Sequence, residues 1–264
     1  MAHRAFTVAD WWRVVWRGLV LGLVTYGCLL VFLLVRAVEW PLCGQARPVT
    51  PHITQFVCRF AFVILRLPLL VRGQPMQGVG AIVANHSSWL DIFALNAADR
   101  VYFVAKSEVA GWPGIGILAR ATGTLFIRRK TTEAKRHQEQ FENRLLAGHR
   151  LLFFPEGTST DAIRVLPFKS TLFAAFLTDH LKNDLSIQPV TVIYHAPGGH
   201  DARHYGWWGD MDFAPHLLIT LAARQQGRVE VVFHAPLRVA DYPDRKALAA
   251  ACEAAVRSGH PFGR

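Results

Sequence analysis

An uncharged apolar segment near the start of the chain restricts its fold more than any other feature. Residues 18–35 read GLVLGLVTYGCLLVFLLV, eighteen residues without a charge. As a helix this segment would span ~27 Å, close to the thickness of the hydrocarbon core of a bilayer. Charged residues and tryptophans typical of a membrane interface flank it: Arg13, Arg17, Arg36, Glu39, Trp11, Trp12, Trp16 and Trp40. The segment predicts a membrane-associated helix, and no small-residue cleavage site follows it to indicate a signal peptide.

A second apolar stretch, residues 53–71, contains two charges, Arg59 and Arg66. A helix that crossed a bilayer here would have to bury these arginines or extend them to the interface. We therefore expect a helix that lies in the interface or returns to the same side, with a core helix as the alternative. Residues 1–75 are predicted to be membrane-anchoring helices. Because basic residues flank 18–35 on both sides, charge does not decide whether that segment spans the bilayer.

The composition agrees with a membrane partner. The chain has 264 residues, is 52% hydrophobic and 18% charged, and carries a net charge of +10. A basic chain attracts anionic membranes, nucleic acids and acidic carrier proteins, and the apolar excess favours the membrane. The four cysteines form no CxxC pair, so reduced thiols are expected rather than a disulfide framework or a zinc site: Cys28, Cys43, Cys58 and Cys252.

From residue 76 to 264 the pattern becomes that of one α/β domain. Short apolar runs suit strands that are buried on both faces: 80–85, 101–106, 123–128, 150–157, 187–194 and 229–237. Helical patterns lie between them, at 131–148, 170–183 and 244–259. We predict a mixed central sheet covered by helices. Residues 195–215 form a long irregular insertion, a kind of loop that is often functional.

His86 and Asp91 follow the first of these strands in the segment NHSSWLD. Residues five apart do not share a helix face, but they can meet if His86 precedes a helix and Asp91 lies in its first turn, with Ser87 or Ser88 as the N-cap. The carboxylate would then orient the imidazole, which could act as a general base. The alternative is an ordinary capped helix start with a solvated aspartate.

Two other strand ends carry polar groups. In FPEGTST, Glu156 and Gly157 follow an apolar run, so Glu156 could bind a hydroxyl or a basic group and the glycine lets a ligand approach the backbone. In GTLFIRRK, two arginines and Lys130 end a strand, and arginine commonly binds phosphate. Lys106 ends the strand 101–106. The alternatives are a plain strand-to-turn junction and a solvated basic face.

Taken together, four segments resemble the motifs of the phospholipid/glycerol acyltransferase family, which includes the lysophosphatidate acyltransferases of bacterial membranes. They occur in the family's order across roughly residues 76–240: NHSSWLD, GTLFIRR, FPEGTST and IQPVTV with Pro189. The resemblance implies a reaction in which coenzyme A or acyl carrier protein presents an acyl thioester to the hydroxyl of a lysolipid. It implies His86 as general base and Asp91 as its orienter, and acceptor-binding roles for Lys106, Arg129, Glu156, Gly157 and Thr158. It implies no prosthetic cofactor and no metal.

One position departs from the family pattern. Many lysophosphatidate enzymes have a basic residue after FPEGT, and this chain has Ser159. The runs EGTSTDAIRVLPFKSTLF and WWGDMDFAPHL resemble the lyso-ornithine lipid branch of the family, whose acceptor has an amino-acid head group. On that resemblance, carboxylates are expected to face a cationic head group: Glu156, Asp161, and Asp210 or Asp212. Because both thioester donors are made in the cytoplasm, we expect the catalytic face on the cytoplasmic side of the inner membrane.

Three other classes of protein were weighed. A membrane-anchored thioesterase or serine hydrolase would need a nucleophile elbow, and the sequence has no GxSxG. A metal enzyme could draw on His195, His200, Asp201 and His204, but the glycines before His200 favour a loop. A nucleic-acid-binding module is disfavoured because no such motif occurs beside the apolar anchor.

Overall fold

The computed structural model describes residues 5–78, 80–128, 134–177 and 182–262. Seven helices occur in these ranges: α1 (Val8–Cys43), α2 (Thr50–Leu65), α3 (Asp91–Ala98), α4 (Ile115–Thr122), α5 (Ala134–Leu146), α6 (Phe213–Ala222) and α7 (Arg245–Gly259). Eight strands are described: β1 (Leu69–Arg72), β2 (Gly80–Ala84), β3 (Tyr102–Lys106), β4 (Leu125–Ile127), β5 (Leu151–Phe153), β6 (Ser186–His195), β7 (Arg228–Phe233) and β8 (Leu237–Arg238).

The eight strands form one mixed sheet in the order β1-β7-β6-β2-β5-β3-β4, and β8 pairs with β6. Strands β6, β2, β5, β3 and β4 run parallel to one another, whereas β7 and β8 run antiparallel to β6. The predicted mixed sheet is confirmed. Because β2 and β5 are adjacent and parallel, the loops that leave their carboxyl ends meet at one edge of the sheet.

Side chains alternate between two hydrophobic layers, as the period of two in a strand requires. In β2, Ile82 and Ala84 belong to the layer that α2, α3 and α6 cover, whereas Ala81 and Val83 belong to the layer under α5 and α7. Every residue of β2 is buried. The continuous apolar runs in the sequence therefore reflect strands covered on both faces.

Three details of the sequence reading were wrong. The stretch 53–71 is not one helix: α2 ends at Leu65, Arg66 adopts a left-handed conformation with φ 54°, and Leu69–Arg72 forms β1 beside β7. Pro68, which cannot continue a helix, explains the break. The run 229–237 is divided into β7 and β8 around Pro236. In the predicted helix 170–183 the described part is a short 3₁₀ turn, Leu172–Phe176, and 178–181 lie outside the described residues.

Helix α1 is apolar along most of its exposed length, and by length and composition it could cross a membrane. Its first turns are nevertheless fixed to the α/β part of the chain. Arg13 donates to the Ala222 carbonyl oxygen at 2.7 Å, and Arg17 donates to those of Leu221 and Ala223 at 2.8 Å. These carbonyl groups end α6, where a helix has unsatisfied acceptors and a partial negative charge.

Candidate active site

His86 and Asp91 come together at the carboxyl edge of β2. The His86 Nδ1 lies 2.8 Å from Asp91 Oδ2. The predicted pairing therefore forms: His86 precedes α3, and Asp91 is its first residue. The predicted N-cap was wrong, because Leu90 occupies that position and makes no side-chain cap. Ser87 and Ser88 instead donate their backbone N–H groups to Asp91 Oδ2, at 2.7 and 3.0 Å.

Asp91 is fully buried, yet each of its oxygens is satisfied. Oδ2 accepts the two serine N–H groups and faces His86, while Oδ1 accepts a hydrogen bond from the Tyr194 hydroxyl at 2.7 Å. A buried carboxylate needs such donors, and a carboxylate fixed in this way can orient an imidazole and support an imidazolium. Burial, followed by the charge of Asp91, raises the pKa of Tyr194 well above its usual value, so this hydroxyl remains a donor.

The imidazole of His86 is also held on its face. The ring of Phe154 stacks on it with centroids 4.0 Å apart and an angle of 10° between the planes. With Nδ1 turned to Asp91 and one face covered, the remaining ring nitrogen, Nε2, points away from the carboxylate. The His86 side chain is 18% exposed, in contrast to the buried Asp91. Nε2 is thus the nitrogen that a substrate can reach.

The FPEGTST segment binds both backbone polar groups of His86. Glu156 Oε1 accepts from the His86 N–H at 2.7 Å, and the Thr160 N–H and hydroxyl donate to the His86 carbonyl oxygen at 2.9 and 3.0 Å. Glu156 Oε2 accepts from the Leu166 N–H at 2.8 Å. The loops after β2 and β5 are therefore one unit, and the second motif fixes the position of the first.

Burial raises the pKa of Glu156 from its usual 4.5 to about 8. The N–H donors of His86 and Leu166 oppose this rise, and the charge of Asp91 adds to it. Both oxygens of Glu156 face backbone groups, and the residue is 1% exposed. The expectation that Glu156 contacts the acceptor, or pairs with a cationic head group, is therefore wrong, since its carboxyl group has no free side.

Two further segments hold NHSSWLD in place. Asn85 pairs with the backbone of Val192 in β6, where its Oδ1 accepts at 2.8 Å and its Nδ2 donates at 2.9 Å. The insertion 195–215 also contacts the motif, because the Trp207 N–H donates to the Ser87 carbonyl oxygen at 2.9 Å. The long irregular loop is thus part of the wall of the site.

This chain matches the Acyltransferase family over residues 71–193. It is 60% identical to a lyso-ornithine lipid O-acyltransferase of Rhodobacter capsulatus, over 96% of this chain and 92% of the relative. The chain belongs to the acyltransferase family. A 1-acyl-sn-glycerol-3-phosphate acyltransferase of Neisseria gonorrhoeae is 30% identical, over 71% of this chain and 72% of the relative. The crystal structure of the Thermotoga maritima 1-acyl-sn-glycerophosphate acyltransferase PlsC shares the fold, with 20% identity, a TM-score of 0.58, and coverage of 88% of this chain and 92% of that one.

The other residues predicted for the site of this acyltransferase differ in exposure and backbone conformation. Lys106 is exposed at the end of β3, and Thr158 is exposed in the FPEGTST loop. Gly157 has φ 75°, a conformation that suits glycine, and its N–H donates to the Phe154 carbonyl oxygen at 3.1 Å. Arg129 lies outside the described residues, so its acceptor-binding role remains a prediction.

The acidic residues that were expected to face a cationic head group also differ among themselves. Asp161 is buried, and its carboxylate pairs with Arg164 of this chain at 3.1 Å. Asp210 and Asp212 are both exposed. Asp161 is therefore already neutralised in part, and only the two exposed aspartates keep the predicted role.

The histidines considered for a metal site and the serines considered for a hydrolase have other partners in the structure. His195 pairs with Glu230 at 3.0 Å, and His200 stacks edge-on against His204 with centroids 4.9 Å apart. Among the described residues, no group of three or more His, Cys, Asp or Glu could hold a metal ion. Ser87 and Ser88 are buried and act through their backbone N–H groups.

Sequence reasoning missed Tyr194 and Phe154 as parts of the site. Tyr194 lies in β6, 103 positions after Asp91, inside a strand that reads as plain core. Phe154 belongs to FPEGTST but was given no role, although its ring covers the imidazole of His86. The signal for Tyr194 was its hydroxyl in a buried strand, since a buried tyrosine hydroxyl needs a partner.

Proposed function

We propose that this acyltransferase moves a fatty acyl group from acyl coenzyme A or acyl carrier protein to the free hydroxyl of lyso-ornithine lipid, a step in membrane lipid biosynthesis. The observation that carries the proposal is the His86–Asp91 pair, with Nδ1 bound at 2.8 Å and Nε2 left for substrate. The choice of acceptor is supported by the name of the relative that is 60% identical. It is also supported by Ser159, because many family members that act on a phosphate-headed acceptor have a basic residue at this position.

The reaction follows from the geometry of the pair. His86 Nε2 removes the proton of the acceptor hydroxyl as that oxygen attacks the thioester carbonyl carbon. The C–S bond then breaks, the imidazolium returns the proton to the departing thiolate, and the products are an ester and a free thiol. Asp91 keeps Nδ1 protonated and stabilises the imidazolium, as a carboxylate does in other His–Asp pairs. A positioned general base contributes ~10²–10⁴ in rate. The scheme uses no metal and no prosthetic group.

Glu156 serves this scheme as a positioning residue, because it binds the His86 backbone and has no free oxygen for substrate. Lys106 and Arg129 are the cations that we propose for the polar head of the acceptor. Gly157 and Thr158 are proposed to contact the acceptor as well, and Thr158 is exposed. These assignments rest on the family resemblance.

We further propose that α1 and α2 bind the enzyme to the cytoplasmic face of the inner membrane. Large apolar side chains on α1 are exposed, among them Leu19, Leu23, Leu30, Leu33 and Leu34. The helix also meets the catalytic domain at both ends. Arg13 and Arg17 bind the end of α6, and Arg47, shortly after α1, donates to the Ala121 carbonyl oxygen at 2.9 Å. A helix held against the domain in this way favours a position along the membrane surface.

The test uses membranes from cells that lack their own enzyme of this type. A labelled acyl thioester is supplied with lyso-ornithine lipid or with 1-acyl-sn-glycerol-3-phosphate, for the parent chain and for His86→Ala. We expect transfer to lyso-ornithine lipid by the parent and its loss in the variant. Equal transfer by both chains would remove His86 from the mechanism. Hydrolysis of the thioester without an acceptor would point instead to a thioesterase.

A further inference from the structure

A groove beside the catalytic loops carries two arginines that the reaction scheme does not use. It is open, has a volume of about 360 Å³, and is lined by Asp161, Ile163, Arg164, Arg203 and Trp208. One threonine connects it to the catalytic base: the Thr160 hydroxyl oxygen lies 3.0 Å from the His86 carbonyl oxygen and 3.1 Å from that of Arg164. The groove and the loop that carries His86 are therefore joined through Thr160.

Asp161 organises the two arginines. Its Oδ1 accepts from the backbone N–H groups of Ile163 and Arg164, at 3.2 and 3.1 Å. Its Oδ2 lies 3.1 Å from Arg164 Nε and 3.6 Å from Arg203 Nε. The Asp161 side chain is only 4% exposed. Both guanidinium groups thus turn their Nε edge toward one buried carboxylate.

The opposite edges of these guanidinium groups remain available. The side chains of Arg164 and Arg203 are 65% and 52% exposed, and their terminal nitrogens make no hydrogen bond to another described residue. Two guanidinium charges and one carboxylate leave the groove with a charge of +1. Guanidinium N–H groups bind carboxylate and phosphate groups in pairs, so the groove is suited to an anion.

We propose that this groove binds the carboxylate of an amino-acid head group on the acceptor lipid. The proposal rests on the proposed function, because it names the part of that acceptor that the enzyme recognises. An ornithine attached through one amino group keeps a carboxylate and a second amino group. A net charge of +1 balances the single negative charge of a carboxylate. The phosphates of the acyl donor are the other source of an anion, and kinetics separate the two.

The experiment compares the full chain in detergent with Arg164→Met, Arg203→Met and Arg164→Lys. The control is Arg245→Met, which removes an exposed arginine at the start of α7, outside the groove. The KM of lyso-ornithine lipid is measured at saturating acyl coenzyme A, and the KM of acyl coenzyme A at saturating lipid. A methyl ester of the same lipid, which lacks the carboxylate charge, is a second acceptor. Because Arg203 is half exposed, its loss should leave folding intact, and unfolding midpoints check this.

We expect the KM of lyso-ornithine lipid to rise at least about tenfold in both methionine variants and less in Arg164→Lys, as the loss of a charge-assisted hydrogen bond implies. The KM of acyl coenzyme A and the KM of the methyl ester should not change. A rise confined to the KM of acyl coenzyme A would overturn the proposal in favour of a donor phosphate. Unchanged constants for both substrates would also overturn it.

A binding measurement keeps this result separate from the proposed function. Labelled lyso-ornithine lipid is bound to the full chain carrying His86→Ala, with and without Arg203→Met. Weaker binding in the double variant supports the groove even if the parent proves to transfer acyl groups to another acceptor. Equal binding overturns the groove even if the parent transfers acyl groups to lyso-ornithine lipid as proposed.

Discussion

The Tyr194 hydroxyl donates a 2.7 Å hydrogen bond to the carboxylate oxygen of Asp91 that does not face His86. Tyr194 is buried in β6, so it supports the His86–Asp91 pair from inside the core. The orientation of His86 thus depends on a central strand of the sheet as well as on the loop that carries the histidine.

Tyr194→Phe should lower kcat about tenfold, because a buried hydrogen bond to a charged group contributes ~1.5–3 kcal/mol. The KM values should not change, since Tyr194 does not reach substrate. Tyr205→Phe is the matched control, since that buried hydroxyl bonds Gln226 and the Gly227 N–H. A parallel change in both variants would indicate a general packing effect.

Asp91→Asn should lower kcat by ~10²–10⁴, the contribution of a correctly positioned base. The amide keeps the size of the side chain but removes the charge that stabilises the imidazolium. Asp244→Asn is a matched substitution at the exposed N-cap of α7, where asparagine also caps a helix. Steady-state kinetics with both variants check the prediction, and an Asp91→Asn chain with the kcat of the parent would exclude a role for the carboxylate in catalysis.

Thr160→Val should lower kcat/KM about fivefold, which corresponds to the ~1 kcal/mol of one hydrogen bond. The substitution removes the hydroxyl between the His86 and Arg164 carbonyl oxygens and retains the Thr160 N–H bond to His86. Thr160→Ser should restore activity because it returns the hydroxyl. A Thr160→Val chain with the kcat/KM of the parent would contradict the prediction.

The contribution of Glu156 to stability should fall as the pH rises. The folded chain holds this proton up to about pH 8, whereas the unfolded chain releases it near its usual pKa of 4.5. At this residue the folded state therefore binds more protons between these values, and the Glu156 contribution to the free energy of unfolding decreases across that window by up to ~1.4 kcal/mol per pH unit, then levels off. Glu156→Gln should remove this slope. Urea unfolding at several pH values tests it, and identical slopes in both chains would contradict it.

The sequence predicted the components of the site better than their contacts. The polar clusters after β2 and β5 were recognised because each directly follows an apolar run, and parallel strands bring such ends to one edge. Their connection through Glu156 and Thr160 was not predicted, because it depends on backbone atoms 70 and 74 positions away. The sequence also predicted that Glu156 binds the acceptor. An acidic residue that follows a strand has the same sequence pattern whether it faces substrate or backbone.

The local pattern of this chain determined the mixed α/β class, the apolar N-terminal helix and the His86–Asp91 pair, since all three follow from periodicity or from residues close in sequence. Only the tertiary structure decided that residues 69–72 form a strand, that Tyr194 supports Asp91, and that Arg164 and Arg203 share Asp161. These contacts join segments distant along the chain. Their partners are chosen by the register of the sheet and the course of the loops, which no short window of sequence contains.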